Sequence, residues 1–166
     1  KAEILNIYNP QKMNRSTRIA FFLYTLAWKA ASPILRLNRR LSQGFPQRAL
    51  KQNPLPAADI WIQAASAGES YLAWELLKEF QTENPARILI TSNTQQGMEI
   101  LDKAVHDAKS TSRNLDAYTA YFPFDSPTLM KAAIQTVKPR LIVLLESEIW
   151  PGFLYEAKKF GCNILI

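Results

Sequence analysis

Two groups of carboxylates follow apolar runs in this chain. Glu69 closes Ser66-Ala67-Gly68-Glu69 directly after the run Ile60 to Ala65, and Glu146-Ser147-Glu148 follows the run that begins at Leu141. Acids at the ends of buried strands stand where raised pKa values and proton-transfer roles concentrate, so Glu69 is a candidate general base toward a hydroxyl. The same four residues also spell a capping box, in which Ser66 caps a helix and Glu69 reaches back to the cap amide. These readings compete, because a carboxylate tied down in a cap is a poorer base. Glu146 and Glu148, leading into Ile149-Trp150-Pro151, divide in the same way. They are either acids of a working cleft or solvated loop acids ahead of a proline in a first helical turn.

Other chemistries have weaker support. Ala64-Ala65-Ser66-Ala67-Gly68 resembles a nucleophile elbow but lacks its first glycine, and the single histidine, His106, falls on a predicted helix surface, so Ser66 has no evident base. Thr91-Ser92-Asn93-Thr94, with Gly97 just beyond, offers hydroxyls, amides and a helix amino terminus that suit phosphates or sugar hydroxyls. Such residues also cap helices with no ligand involved. No P-loop and no G-x-G-x-x-G fingerprint occurs. One cysteine, Cys162, and one histidine leave no disulfide framework and no zinc set, and make a reducing, cytoplasmic compartment the default.

The elements that must position these residues alternate. Strands are expected at Ile60 to Ala65, Arg87 to Ser92, Ala117 to Phe122, Leu141 to Glu146 and Asn163 to Ile166. Helices are expected at Glu69 to Thr82, Gln95 to Ala108, Ser126 to Val137 and Pro151 to Phe160. Runs such as Leu141-Ile142-Val143-Leu144-Leu145 suit strands buried on both faces of a parallel sheet. The expected fold is therefore a Rossmann-like, doubly wound α/β layer, whose ligands sit at the carboxyl ends of the strands. The loops there are Ser66 to Glu69, Asn93 to Gly97, Pro123-Phe124-Asp125 and Glu146 to Pro151. The 166 residues fit one domain, and the run ends at a fifth strand without a closing helix, which suggests a longer protein.

The net charge of +6 is unevenly spread: residues 1–60 hold ten Lys/Arg against two acids, net +8, leaving −2 for the rest. A basic arm, 1–52, thus precedes a nearly neutral body, 53–166, which argues for an acidic surface near the amino terminus and against a nucleic-acid face. Between Ile19 and Leu37 the arm is apolar and aromatic. At 100° per residue Arg15, Arg18, Lys29, Arg36 and Arg40 share one stripe of a helical wheel, with Phe22 inside it and Trp28 off it. The pattern predicts a basic amphipathic helix in the plane of a membrane interface. A short signal-anchor span and a helix that only packs on the body are the other readings; no cleavage site for a signal peptide follows. Met13 is a candidate native start.

Taken in order and spacing, Ala65-Ser66-Ala67-Gly68-Glu69, the Thr91-to-Gly97 loop, Pro123-Phe124-Asp125 and Glu146-Ser147-Glu148-Ile149-Trp150-Pro151 resemble the amino-terminal domain of Kdo transferases. Ala67 stands where that family often has Val. The resemblance implies half of a GT-B glycosyltransferase, in which this domain holds a lipid A precursor and a second domain, absent here, binds most of the donor CMP-Kdo. It implies Glu69 as general base and Glu148 and Glu146 lining the same cleft. Ser66, Gly68, Ser92, Thr94, Gly97, Asp125 and Trp150 become the expected substrate contacts. It further implies no metal and no cofactor beyond the donor, and a site of action on the cytoplasmic face of the bacterial inner membrane. Arg15, Arg18, Trp28, Lys29, Arg36 and Arg40 would meet that surface. A non-catalytic α/β ligand-binding module using the same loops is the alternative.

Overall fold

The computed structural model describes residues 15–35, 42–80, 84–111, 114–145 and 149–166. The expected alternation is present: β1 (Ile60–Ala64), α3 (Ala67–Glu79), β2 (Ala86–Ser92), α4 (Gln95–Thr111), β3 (Leu115–Tyr121), α5 (Pro127–Val137), β4 (Leu141–Leu144), α6 (Pro151–Phe160) and β5 (Asn163–Leu165). Ahead of them lie a long helix, α1 (Arg15–Leu35), and a single turn, α2 (Phe45–Arg48).

All described strand pairs are parallel, in the order β3-β2-β1-β4-β5. Alternate residues of each strand fill two separate cores, as a sheet covered on both faces requires. Trp61, Leu89, Ile142 and Ile164 pack toward α5 and α6, with Phe122 beyond β3 joining them. Ile62, Ile88, Ile90 and Val143 pack toward α3 and α4. The chain winds outward from β1 through β2 to β3, then returns to place β4 on the other side of β1. That reversal between β1 and β4 is the switch point where open α/β sheets have their ligand crevice.

Two features depart from the sequence-based expectation. Residues 42–50, assigned above to the arm, are packed on the body beside β3. The Tyr121 N–H donates to Gln47 Oε1 at 3.1 Å, the Phe124 N–H donates to the Arg48 carbonyl at 3.1 Å, and Arg48 is only 3% exposed. Gly44 has φ +65°, and a Cβ there would overlap the Tyr121 ring, so both backbone and space demand glycine.

The apolar side of α1 is also divided. Phe21, Tyr24 and Trp28 face the body: Phe21 lies 4.4 Å from the Tyr155 ring, and Trp28 lies 6.1 Å from that of Phe124. Ile19, Phe22, Leu23 and Leu26, each more than half exposed, face outward. Arg18 and Lys29 occupy the flank between these faces on the helical wheel, and Arg15 falls among the outward residues; Arg36 and Arg40 lie outside the described residues. No described helix is long and apolar enough to cross a membrane.

Candidate active site

The strand pairing sets the carboxyl ends of β1 and β4 side by side. In register, Gln63 lies opposite Leu144, and the Leu145 N–H donates to the Gln63 carbonyl at 3.2 Å. β1 and β4 therefore finish at the end of the sheet from which Ser66 to Glu69 leads away. Residues 146–148 themselves lie outside the described residues.

Glu69 sits in the first turn of α3 and is 3% exposed. Its Oε2 accepts the Ala65 N–H at 2.6 Å, and its Oε1 accepts the Ser66 hydroxyl at 2.6 Å. Ser66 Oγ in turn lies 3.4 Å from the Glu69 N–H, and the Ser70 N–H donates to the Ser66 carbonyl at 3.0 Å. This is a capping box whose acidic arm reaches one residue further back than the cap amide. The carboxylate is buried and held on both oxygens, while Ser66 and Gly68 remain exposed above it. A Cβ on Gly68 would meet only Ser66 Oγ, at 3.8 Å, so packing does not demand a glycine there. An open glycine at a helix amino terminus beside the crevice leaves room for close approach of another molecule.

The second loop is built more tightly. Thr94 is exposed, and its Oγ1 accepts the Gly97 N–H at 3.0 Å, which caps α4. Ser92 is fully buried, and its Oγ has no partner among the described residues. A Cβ on Gly97 would overlap that hydroxyl and come within 2.9 Å of Ser70 Oγ. Gly97 is thus required for α4 to close on β2 and α3, and Ser92 lies beneath it. Of the three expected contacts here, only Thr94 is presented to solvent.

Asp125 is drawn inward. It is 1% exposed, with Oδ2 accepting the Gly152 N–H at 2.9 Å and the Tyr24 hydroxyl at 2.7 Å, and Oδ1 accepting the Phe153 N–H at 2.6 Å. The cap residue of α6 is Trp150, whose side chain makes no capping bond, and Pro151 lacks an N–H. Asp125 supplies the missing cap from another loop. Burial pushes its carboxyl above the usual range, opposed by those three donors. Gly152 is held to glycine because a Cβ would lie 2.7 Å from the Asp125 carbonyl. Trp150 is half-buried, its ring 5.3 Å from that of Phe122. Asp125 and Trp150 therefore build the wall of this end of the sheet.

Two residues that sequence reasoning passed over also stand here. Arg48, counted only as arm charge, donates to the Asn93 carbonyl and, at 3.3 Å, to that of Gln43, with its guanidinium 4.9 Å from the centre of the Tyr121 ring. Burial lowers its pKa. It ties α2 to the β2–α4 loop. Gln63, 2% exposed, accepts the Thr91 hydroxyl at 2.5 Å, and Thr91 Oγ1 accepts the Trp61 indole N–H at 2.8 Å. The signal for Gln63 was a lone amide in the apolar strand Ile60–Ala64. His106 is exposed on α4, as expected.

Residues 35–166 match the family model described as 3-deoxy-D-manno-octulosonic-acid transferase (kdotransferase). The chain is 31% identical over 153 residues to a bifunctional glycosyltransferase/methyltransferase of Fusobacterium nucleatum, covering 92% of this chain and 22% of that protein. It is 38% identical over 108 residues to the 3-deoxy-D-manno-octulosonic acid transferase of Rickettsia bellii, 64% of this chain and 24% of that one. To the enzyme of the same name from Chlamydophila psittaci it is 33% identical over 107 residues, 64% and 23% of the respective chains. The chain thus spans about a quarter of the length of these relatives. No solved structure matches it. With its parallel sheet and its loops gathered at the β1/β4 switch point, the chain belongs to the Kdo transferase family, whose amino-terminal region it matches.

Proposed function

We propose that the protein containing this chain transfers Kdo from CMP-Kdo to a lipid A precursor, and that this domain holds the acceptor with Glu69 as general base. The observation that carries the reading is a buried carboxylate at the carboxyl end of β1, beside the strand β4, in a chain of this family. In the step proposed, the acceptor hydroxyl oxygen attacks the anomeric carbon of Kdo. The bond to CMP breaks with its electrons leaving on the phosphate, and the hydroxyl proton passes to Glu69.

Each carboxylate oxygen has a second lone pair beyond the one used in the cap, so the capping geometry does not exhaust Glu69 as an acceptor. Ser66 is exposed and donates to Oε1, which makes its hydroxyl the first atom of this pair that an acceptor meets. Ser66, Gly68 and Thr94 are the proposed acceptor contacts. Glu146 and Glu148 are proposed to complete the cleft from the neighbouring strand. Ser92, Gly97, Asp125 and Trp150 act on the substrate through the shape they impose on these loops. We assign α1 to the inner-membrane surface at its cytoplasmic face. Its basic flank and outward apolar face have the composition of an interfacial helix.

The test is Glu69→Gln in the full-length protein, assayed for Kdo transfer. Gln keeps the size, its carbonyl oxygen can still accept the Ala65 N–H and its NH2 can donate to the Ser66 hydroxyl, but it cannot take a proton. A loss of roughly 10²- to 10⁴-fold in turnover with the fold intact is expected for a general base. Near-normal turnover with a lowered Tm would leave Glu69 a cap only and make Glu148 the next candidate.

A further inference from the structure

A groove of about 310 Å³ runs between α1 and α6, lined by Thr17, Phe21, Pro151, Leu154, Tyr155 and Lys158. The two helices cross in opposite directions. Thr17 shares the groove with Lys158, Phe21 meets Tyr155, and Tyr24 reaches Asp125, which caps the start of α6. The first turn of α1, with Arg15 and Arg18, is thereby brought to the last turn of α6, with Lys158 and Lys159. The result is a slot walled by carbon with Lys158 at one end and Arg18 and Lys159 on the helix flanks beside it.

We infer that this groove takes one acyl chain of an anionic glycerophospholipid of the bilayer, with the lipid phosphate at the cationic end. Carbon walls match a hydrocarbon chain, and Lys158, with Arg18 and Lys159 beside it, matches a phosphodiester. The groove lies against α1, the helix assigned above to the membrane, and outside the crevice between β1 and β4. The amino terminus of α6 faces the mouth of the sheet, and at 1.5 Å per residue Lys158 lies about 10 Å along the helix away from it. A bilayer lipid is therefore the occupant we assign, and displacement of phosphatidylglycerol from the groove by the lipid A precursor would overturn that choice. The inference rests on the membrane reading of α1 and narrows it from partitioning into lipid to a stoichiometric site.

The experiment uses the full-length protein and dioctanoyl phosphatidylglycerol below its micelle concentration, followed by calorimetry and native mass spectrometry. One lipid per protein is expected, with dioctanoyl phosphatidylcholine at least tenfold weaker. Arg18→Gln with Lys158→Gln should weaken phosphatidylglycerol roughly tenfold or more, since each cation near an anionic surface contributes about fivefold. Leu154→Trp, which fills the groove, should abolish the site. Phe21→Ser, which strips one wall, does the same should the Trp variant fail to fold, and Phe22→Ser on the outer face should leave it intact. Equal binding of the two lipids, no saturable binding, or binding unmoved by Leu154→Trp and Phe21→Ser would each overturn the site. So would occupation of the groove by another segment of the same protein. Sedimentation with phosphatidylglycerol vesicles that survives while short-chain binding is absent sinks the groove and leaves the membrane reading standing.

Discussion

Glu69 and Asp125 are both carboxylates buried at the carboxyl end of the sheet, yet they are held in opposite ways. Glu69 is bound by Ala65 and Ser66, within four residues of itself. Asp125 accepts from Gly152, Phe153 and Tyr24, residues 27, 28 and 101 positions away. The first belongs to one turn of one helix; the second joins the β3–α5 loop, α6 and α1. A substitution at a locally held carboxylate acts within its own turn. A substitution at one that ties three elements is felt in all of them.

The comparison is broken most directly at Asp125. Asp125→Ala should lower stability by about 3 kcal/mol, because it removes a cap and leaves buried N–H groups unpaired. Asp125→Asn, whose single carbonyl can accept from only one of the Gly152 and Phe153 N–H groups, should cost about 2 kcal/mol, and urea denaturation compares the two. Glu69→Gln should cost no more than about 1 kcal/mol in the same experiment. A loss at Glu69 as large as that of Asp125→Ala would erase the distinction between local and long-range anchoring.

Tyr24→Phe sharpens the comparison by cutting only the tie to α1. Burial pushes the Tyr24 hydroxyl up to about 12, so it remains a donor across the physiological range. Its loss, about 1 kcal/mol, should speed amide exchange within α1 and leave the melting of the sheet unchanged. The smallest effect belongs to Asp59, a half-exposed carboxylate at the opposite end of the sheet, 3.3 Å from Arg87 Nε. Its hydrogen bond to Arg87 holds its pKa below the ordinary value. That contribution is complete above the usual carboxylate range and disappears as pH falls through the depressed value. Asp59→Asn should therefore flatten the acid limb of the stability curve by under about 1 kcal/mol, as befits an exposed pair.

The same contrast explains what the sequence made legible. Five strands and their helices were readable because burial on both faces leaves unbroken apolar runs, and the Ser66–Glu69 cap because its partners sit three residues apart. The carboxyl end of β1 was placed correctly for the same reason. Asp125 was readable as an acid in a loop but not as the cap of α6, since nothing in Pro123-Phe124-Asp125 encodes a partner so far along the chain. Its counterpart signal, Trp150-Pro151 heading a helix with no local cap, announces a vacancy without saying who fills it. Arg48 misled because charge counting cannot distinguish a solvated guanidinium from one laid against Tyr121. The helical wheel of α1 found the basic stripe but merged two apolar faces that only the body separates.

The strand order carries a consequence for synthesis. β1 pairs with β2 and with β4, and roughly 80 residues separate Ile60 from Leu141, which at 5 to 20 residues per second take about 4 to 16 s to translate. During that interval the nascent chain can assemble β1, β2 and β3 while one side of Ile60–Ala64 stays an open edge, apolar and unpaired. Such an edge is a template for association with other chains. The demand for a chaperone should therefore be greatest for ribosome-bound chains halted between β3 and β4, and should fall once Leu141–Leu144 has cleared the exit tunnel.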